Sequence, residues 1–425
     1  MDPVRDPARL PLPVVLAAGL ALTVAPPASA QASLHGFAQF NYAFRATGAE
    51  CPPQMACDIM RGEERVQLRF NLASANGRAG ALARLDFVHD AVTDDLEPDL
   101  REAYLDVGGR RFSARLGRQI VTWGLGDLLF INDVFHKDWV AFLTGAPLEY
   151  LKFGSNAAKL GAYVGTGGAE VVITPVFAPD RAPGSDRLFF FDPMASLTDR
   201  VTQGPGTDFA DMQLAGRVYA RLGRFEFASY LSRGFFGMPA GRPDPEAPTR
   251  LLLSYPRLNT YGGSLQGPIG PGVFSLEGGY HESRDDRMGT DPTVENSQTR
   301  WLAAYQVQPL EDLTLAMQYY GELMLHHQAY LRTLPASVPA RDRLRQVVSV
   351  RITQLRRHQT VRLNLFVMGS PTDRDAYINP SVRYSATDEL WLETGANLFW
   401  GRELHTFFGQ FEKDSAVFFV ARYEF

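Results

Sequence analysis

Residues 65–87 read RVQLRFNLASANGRAGALARLDF. Val66, Leu68, Phe70 and Leu72 are apolar, and Arg65, Gln67, Arg69 and Asn71 between them are polar. A period of two places the two sets on opposite faces of an extended strand. Ser74-Ala75-Asn76-Gly77 is a short turn, and a second extended run follows it at 78–88.

The same alternation returns further along. Val361, Leu363, Leu365 and Val367 stand against Arg362 and Asn364, and Ile378, Val382 and Tyr384 against Asn379, Ser381 and Arg383. Helical periodicity of useful length is absent. One wet face and one apolar face also suit a water-soluble sandwich, so the connections have to decide.

Strands are expected near 33–46, 63–73, 78–88, 99–108, 111–121, 157–165, 169–178, 208–221 and 224–236. They continue near 257–267, 272–283, 296–307, 312–325, 343–355, 358–368, 375–385, 389–400 and 415–425. Brief turns such as Gly108-Gly109-Arg110 and Leu222-Gly223 alternate with long stretches at 47–62, 122–156, 179–207, 237–256, 284–295, 326–342 and 401–414. Short turns at one end and long loops at the other describe an all-β fold, a transmembrane antiparallel β-barrel of about 18 strands. The short connections 89–98 and 369–374 leave a count of 16 open.

Composition agrees. The 425 residues are 45% hydrophobic and 21% charged, which excludes a disordered chain, and the net charge of −5 carries no basic footprint for nucleic acid. Arg5 and Arg9, the apolar run 10–24 and Ala28-Ser29-Ala30 have the three parts of a cleaved export signal. Residues 1–30 are therefore expected to be removed, leaving 31–425 as one barrel domain in the bacterial outer membrane. No apolar run is long enough for a transmembrane helix, and in hydrocarbon strands can span only as a closed ring.

The closing run AVFFVARYEF places Val417, Phe419, Ala421, Tyr423 and Phe425 on one face. Tyr42, Phe44, Phe235, Tyr255, Trp391, Phe399, Trp400 and Tyr423 lie near strand ends and are expected to form the interfacial aromatic girdles.

Turning the polar face inward makes Arg69, Arg84, Arg115, Arg217, Arg351, Arg362, Arg383 and Arg422 lumen cations. The same rule makes Asp86, Glu102, Asp106, Glu226, Glu277, Glu322, Glu393 and Glu424 lumen anions. A mixed wall of this kind encloses water and sets solute selectivity, or neutralises itself in cross-strand pairs worth little each.

Within 98–155, Leu100-Arg101-Glu102-Ala103-Tyr104, Leu116-Gly117-Arg118-Gln119 and Trp123-Gly124 resemble a pattern in Gram-negative outer-membrane channel proteins. That set includes porins of unassigned cargo and alginate-export-like barrels. The resemblance covers about 60 residues and implies a channel architecture without implying a cargo. An arginine ladder suited to a polyanion is not evident, because acids balance the lumen bases.

The stretch 124–156 is unusually apolar for a loop, with Leu128, Leu129, Phe130, Ile131, Val134, Phe135, Trp139, Val140, Phe142 and Leu143. It is expected to fold into the ring and narrow it, with Asp127, Asp133, His136, Lys137 and Asp138 as its polar edge. Packing beneath an outer loop or against a neighbouring subunit is the other reading. Cys51 and Cys57 are expected to form a disulfide in the first outer loop.

No heme-attachment, P-loop or zinc-protease motif occurs, so neither cofactor, metal site nor enzymatic activity is expected. The sequence favours a passive channel for small polar or charged solutes, sitting in outer-membrane lipid. A barrel sheath around a partner protein, such as a multiheme cytochrome, is the alternative, and self-association is left open.

Overall fold

The computed structural model describes residues 31–53 and 55–425; the export signal expected at 1–30 lies outside the described residues. Eighteen antiparallel strands form one sheet. In order they are Gln31–Arg45, Ile59–Ala73, Ala79–Asp90, Asp95–Gly108, Phe112–Gln119, Ser155–Val164, Gly167–Thr174, Gln213–Leu222 and Phe225–Phe235. Arg257–Ile269, Gly272–Ser283, Gln298–Leu310, Leu313–Met324, Leu344–Arg356, Val361–Ser370, Asp375–Ser385, Leu390–Gly401 and Ala416–Glu424 complete the set. We number them first to eighteenth. The first pairs with the eighteenth from Phe37↔Glu424 to Arg45↔Ala416, so the sheet closes on itself and leaves no edge. The count is 18, not 16.

Every connection at one end of the ring is a short turn. The other end carries 120–154, 175–212, 236–256 and further long connections, together with brief turns at 91–94 and 371–374. Four strand limits differ from expectation by four or five residues, the second strand starting early at Ile59 and the fourth early at Asp95. The seventh strand stops at Thr174 because Pro175 has no N–H to continue the ladder. The eighth starts only at Gln213, after a short 3-10 turn at Phe209–Asp211. The sequence reading also missed a small sheet in the long connections, where Ala247–Ser254 pairs with Ala240–Asp244 and with Asp199–Gln203.

Face assignment follows the alternation. Leu34, Phe40, Phe44, Val66, Phe70, Leu363, Val382, Val417, Phe419 and Tyr423 are exposed on the outside, where hydrocarbon would cover them. Gln39, Asn41, Gln67 and Asp86 are buried on the inside. The girdle expectation needs correcting at three residues. Phe399 is buried beside Phe408 and Phe411, Trp391 stacks under Arg383 at 3.8 Å, and Tyr255 packs on Phe177 in the long connections. Trp391 and Phe399 share the parity of the inward Glu393, so proximity to a strand end was outweighed by the alternation itself.

Candidate functional site

The segment 120–154 leaves the fifth strand and returns as the sixth, and between them it touches walls around the ring. On the eleventh strand, the Glu277 carboxylate accepts from Leu125 N at 2.6 Å and from Asn132 N at 3.0 Å. His281 Nε2 donates to Ile131 O at 2.9 Å. On the thirteenth strand, Gln318 Oε1 accepts from Asp127 N at 2.8 Å. On the fourteenth, Arg351 grips the Asp127 carboxylate at 2.5 and 2.9 Å. Across the ring, Arg61 of the second strand donates to Thr144 Oγ1, and Arg422 of the eighteenth to Glu149 Oε1 at 2.7 Å.

Apolar burial explains why the segment turns inward. Leu129, Ile131, Phe142, Leu143 and Leu151 share one core with Leu302, Tyr320, Val347, Phe366 and Tyr377 of the wall. Trp123 packs in a second cluster with Val172, Ala215 and Tyr230. Full burial is worth about 1.5–3 kcal/mol for each large side chain, which favours the inward path over one exposed to solvent.

Two glycines set the local path. Gly124 adopts a positive φ of +85° and lies so close to Glu277 that a Cβ would sit 2.9 Å from Oε1. Gly117, with φ +127°, faces Ala103 O, which a Cβ would overlap. These contacts account physically for two glycines in the pattern singled out from sequence.

The wall charges are largely paired. Arg84 meets Glu102 at 3.3 Å, Arg115 meets Asp106 at 3.3 Å, Arg217 meets Glu170 at 2.7 Å and Arg383 meets Glu393 at 2.7 Å. Asp86 is bound by Arg65, and Glu322 lies 3.4 Å from Arg300. Arg69 is exposed on the inner face and donates to Asn71 at 3.2 Å. Glu226 lies on the same inner parity as the buried Tyr230, and Glu424 pairs with Arg422 at 3.1 Å. Arg362 makes no ion pair with a described residue.

Several expected roles change. Glu277 is buried as the clamp of the segment rather than open to the lumen. Of the five polar segment residues, Asp127 engages the wall through Arg351, while the other four are buried rather than lining an edge. Asp133 receives the Lys152 ammonium, and Lys137 Nζ donates to Asp133 O at 2.8 Å and Phe135 O at 2.6 Å. Asp138 caps the helix Trp139–Leu143 through Ala141 N at 2.8 Å and pairs with Arg181 at 3.1 Å. His136 lies between the Phe153 and Phe177 rings. Burial pushes the His136 imidazole down to about 4 and the Lys137 ammonium down to about 8, with Asp180 opposing both.

Arg101 was missed, for an identifiable reason. A bulge between Arg84 and Leu85 leaves Arg101 without a partner opposite, so it shares the interior with Glu102. Strict alternation would have sent it to lipid. It stacks on Tyr150 at 4.4 Å and donates to Lys152 O at 3.3 Å, holding the return limb of the segment. Arg61, Glu63 and Arg65 were also missed as site residues, although their alternation signals an inward face. Cys51 and Cys57 are disulfide-bonded, with Cα atoms 5.6 Å apart.

A cavity of about 250 Å³ remains beside the segment. Its apolar side is Phe142, Pro147 and Leu148, and its polar side includes Arg351, Arg362 and Arg383. Glu393, Ser381 and the amides Asn364, Asn379 and Asn397 also line the polar face.

The arrangement, a closed 18-stranded ring with an inward segment, is an outer-membrane porin fold. The sequence matches no known family profile and no curated protein. Among solved structures, Pseudomonas aeruginosa OccK5 (OpdH) aligns at a TM-score of 0.52 and 12% identity, covering 93% of this chain and 98% of that one. P. aeruginosa OccK2 (OpdF), solved in complex with glucuronate, aligns at 0.53 and 9% identity, covering 93% and 98%. OccK11 (OpdR) of the same organism aligns at 0.52 and 9%, covering 92% and 95%. At these identities the likeness concerns the fold.

Proposed function

We propose that this protein is a passive outer-membrane channel for small polar and charged solutes, narrowed by the segment 120–154. The observation that carries this reading is the cavity between the segment's Gly145–Leu148 bend and the polar wall. Around it Asp127 offsets Arg351 and Glu393 offsets Arg383, so Arg362 supplies the excess charge. A confined excess cation raises the local concentration of small anions, and the channel should pass them in preference to cations of the same size. The chain's own segment is tied to wall strands on several sides of the ring, which argues against a sheath threaded by a partner protein.

The test is conductance of the purified protein in a planar bilayer, with the reversal potential measured across a potassium chloride gradient. A chloride-preferring ohmic channel is expected. An intact, inserted barrel that passes no current would overturn the reading.

A further inference from the structure

The connection 175–212 joins the seventh and eighth strands, which are direct neighbours in the ring. A few residues would bridge them. Instead the chain crosses to the far wall and comes back. Asp180 accepts from Lys137 N at 3.0 Å and Trp139 Nε1 at 2.9 Å, and Arg181 N donates to Lys137 O at 2.9 Å, so the crossing rides on the inward segment.

Beyond it, Arg187 pairs with Asp90 at the end of the third strand at 2.5 Å. Ala56 N donates to Asp186 O at 2.9 Å, inside the long connection that carries the disulfide. Phe189 N donates to Asp414 Oδ1 at 3.1 Å, and Phe191 N to Gln410 Oε1 at 3.2 Å. Leu188 is 1% exposed, in one core with Met60, Phe408, Phe411 and Ala416.

One side chain ties these contacts together. From the end of the first strand, the Arg45 guanidinium donates to Arg187 O, Cys57 O and Lys413 O, each at 2.8 Å, and to Asp414 at 2.5 Å. It also lies over the Phe189 ring at 5.0 Å. Ordering a long crossing costs about 1–2 kcal/mol of backbone entropy per residue. Its far end is held by Leu188, by Phe190 packed on the same core and by the buried Arg45–Asp414 pair, so it detaches there only as a unit, when these contacts give way together.

We propose that residues 180–191 form a strap across the long-loop mouth of the channel, latched at Arg45, Asp90 and Asp414, and that its release opens the mouth to solute. This rests on the channel reading above and adds a gate to it. The strap lies over the inward segment, so the two restrict the path in series, and releasing the strap alone widens the entrance without unseating the constriction.

Two manipulations of the full-length protein in planar bilayers test this, each after folded barrel is verified by heat-modifiable gel mobility. The double variant Arg187→Ala/Leu188→Ser removes the ion pair and the buried anchor. Mean current at fixed voltage should rise at least three-fold over the unmodified chain. In the pair Asp90→Cys/Arg187→Cys, a short bifunctional thiol reagent bridges the latch, and current should fall below that of the unbridged variant by a similar factor. Equal currents in the released, bridged and unmodified proteins would overturn the strap while leaving the channel intact. If no form conducts, the channel reading fails and the strap fails with it.

Discussion

The Glu277 carboxylate accepts both the backbone N–H of Asn132, at 3.0 Å, and its side-chain amide, at 2.9 Å, so one wall residue fixes the turn of the inward segment. A third donor, Leu125 N, reaches the same carboxylate from the segment's entry limb. Replacing Glu277 by Ala leaves buried donors without acceptors, at about 1–3 kcal/mol each. Glu277→Ala should therefore free the segment and raise single-channel conductance several-fold, whereas Glu277→Gln, which keeps one acceptor oxygen, should fall between. Identical conductance in all three proteins would rule out the clamp.

Gly262 tests the same seat sterically. A Cβ there would overlap Asn132 Oδ1 and Gly278 O. Gly262→Ala should displace the Asn132 turn and increase conductance and current noise, with the barrel still folded. Gly263 faces the other way, with Ala228 O as its nearest atom at 3.4 Å, so Gly263→Ala should change little.

Two cations separate a pore role from a packing role. Arg362 lines the cavity, while Lys137 is 6% exposed and caps carbonyl groups of its own segment. Arg362→Glu should move the reversal potential toward cation preference with unchanged thermal stability. Lys137→Glu should lower the melting temperature of the folded barrel, since it buries a charge among carbonyl oxygens. A reversal-potential shift of equal size in both would show that burial does not separate them.

Adjacent residues on the fifteenth strand test the register. Leu363 is exposed on the outer face, and Asn364 lines the cavity. Leu363 is the third residue from the short-turn end of its strand, and arginine facing lipid costs about 2–4 kcal/mol at the midplane and less toward the interfaces. Leu363→Arg should fold in liposomes in lower yield than Asn364→Arg, which should fold well and increase anion preference. The reverse order of yields would mean the faces are exchanged.

His136 supplies a pH dependence. Burial lowers its pKa from the ordinary 6.5 to about 4, so the folded state favours the neutral ring. Its contribution is complete above 6.5 and is lost as pH falls through about 4. Between pH 7 and pH 4 the segment should loosen and current fluctuations should grow. His136→Phe, placed among the Phe153 and Phe177 rings, should lessen that change. Equal pH responses in the two proteins would assign the effect to other groups.

The amino-acid sequence determined the ring. Alternation at 65–72 and 361–367 assigns faces residue by residue, and the sorting of short turns from long connections specifies antiparallel neighbours. Both signals are local, and a closed sheet needs little else, because each strand is satisfied by its neighbours. The apolar content of 124–156 likewise announced that this stretch had to be buried. Its seat was not legible. Glu277 and Asn132 are 145 residues apart, and nothing near either indicates the other. The tertiary structure alone decided that Glu277 clamps, that Asp133 and Lys137 sit inside the segment, and that Arg101 turns inward at a bulge. It also carried Arg187 across the mouth to Asp90. Arg101 escapes the pattern because a bulge interrupts its strand's period; for the other three, a strand's faces follow from a two-residue period, whereas a long loop's path depends on which distant groups satisfy its polar atoms and cover its apolar ones.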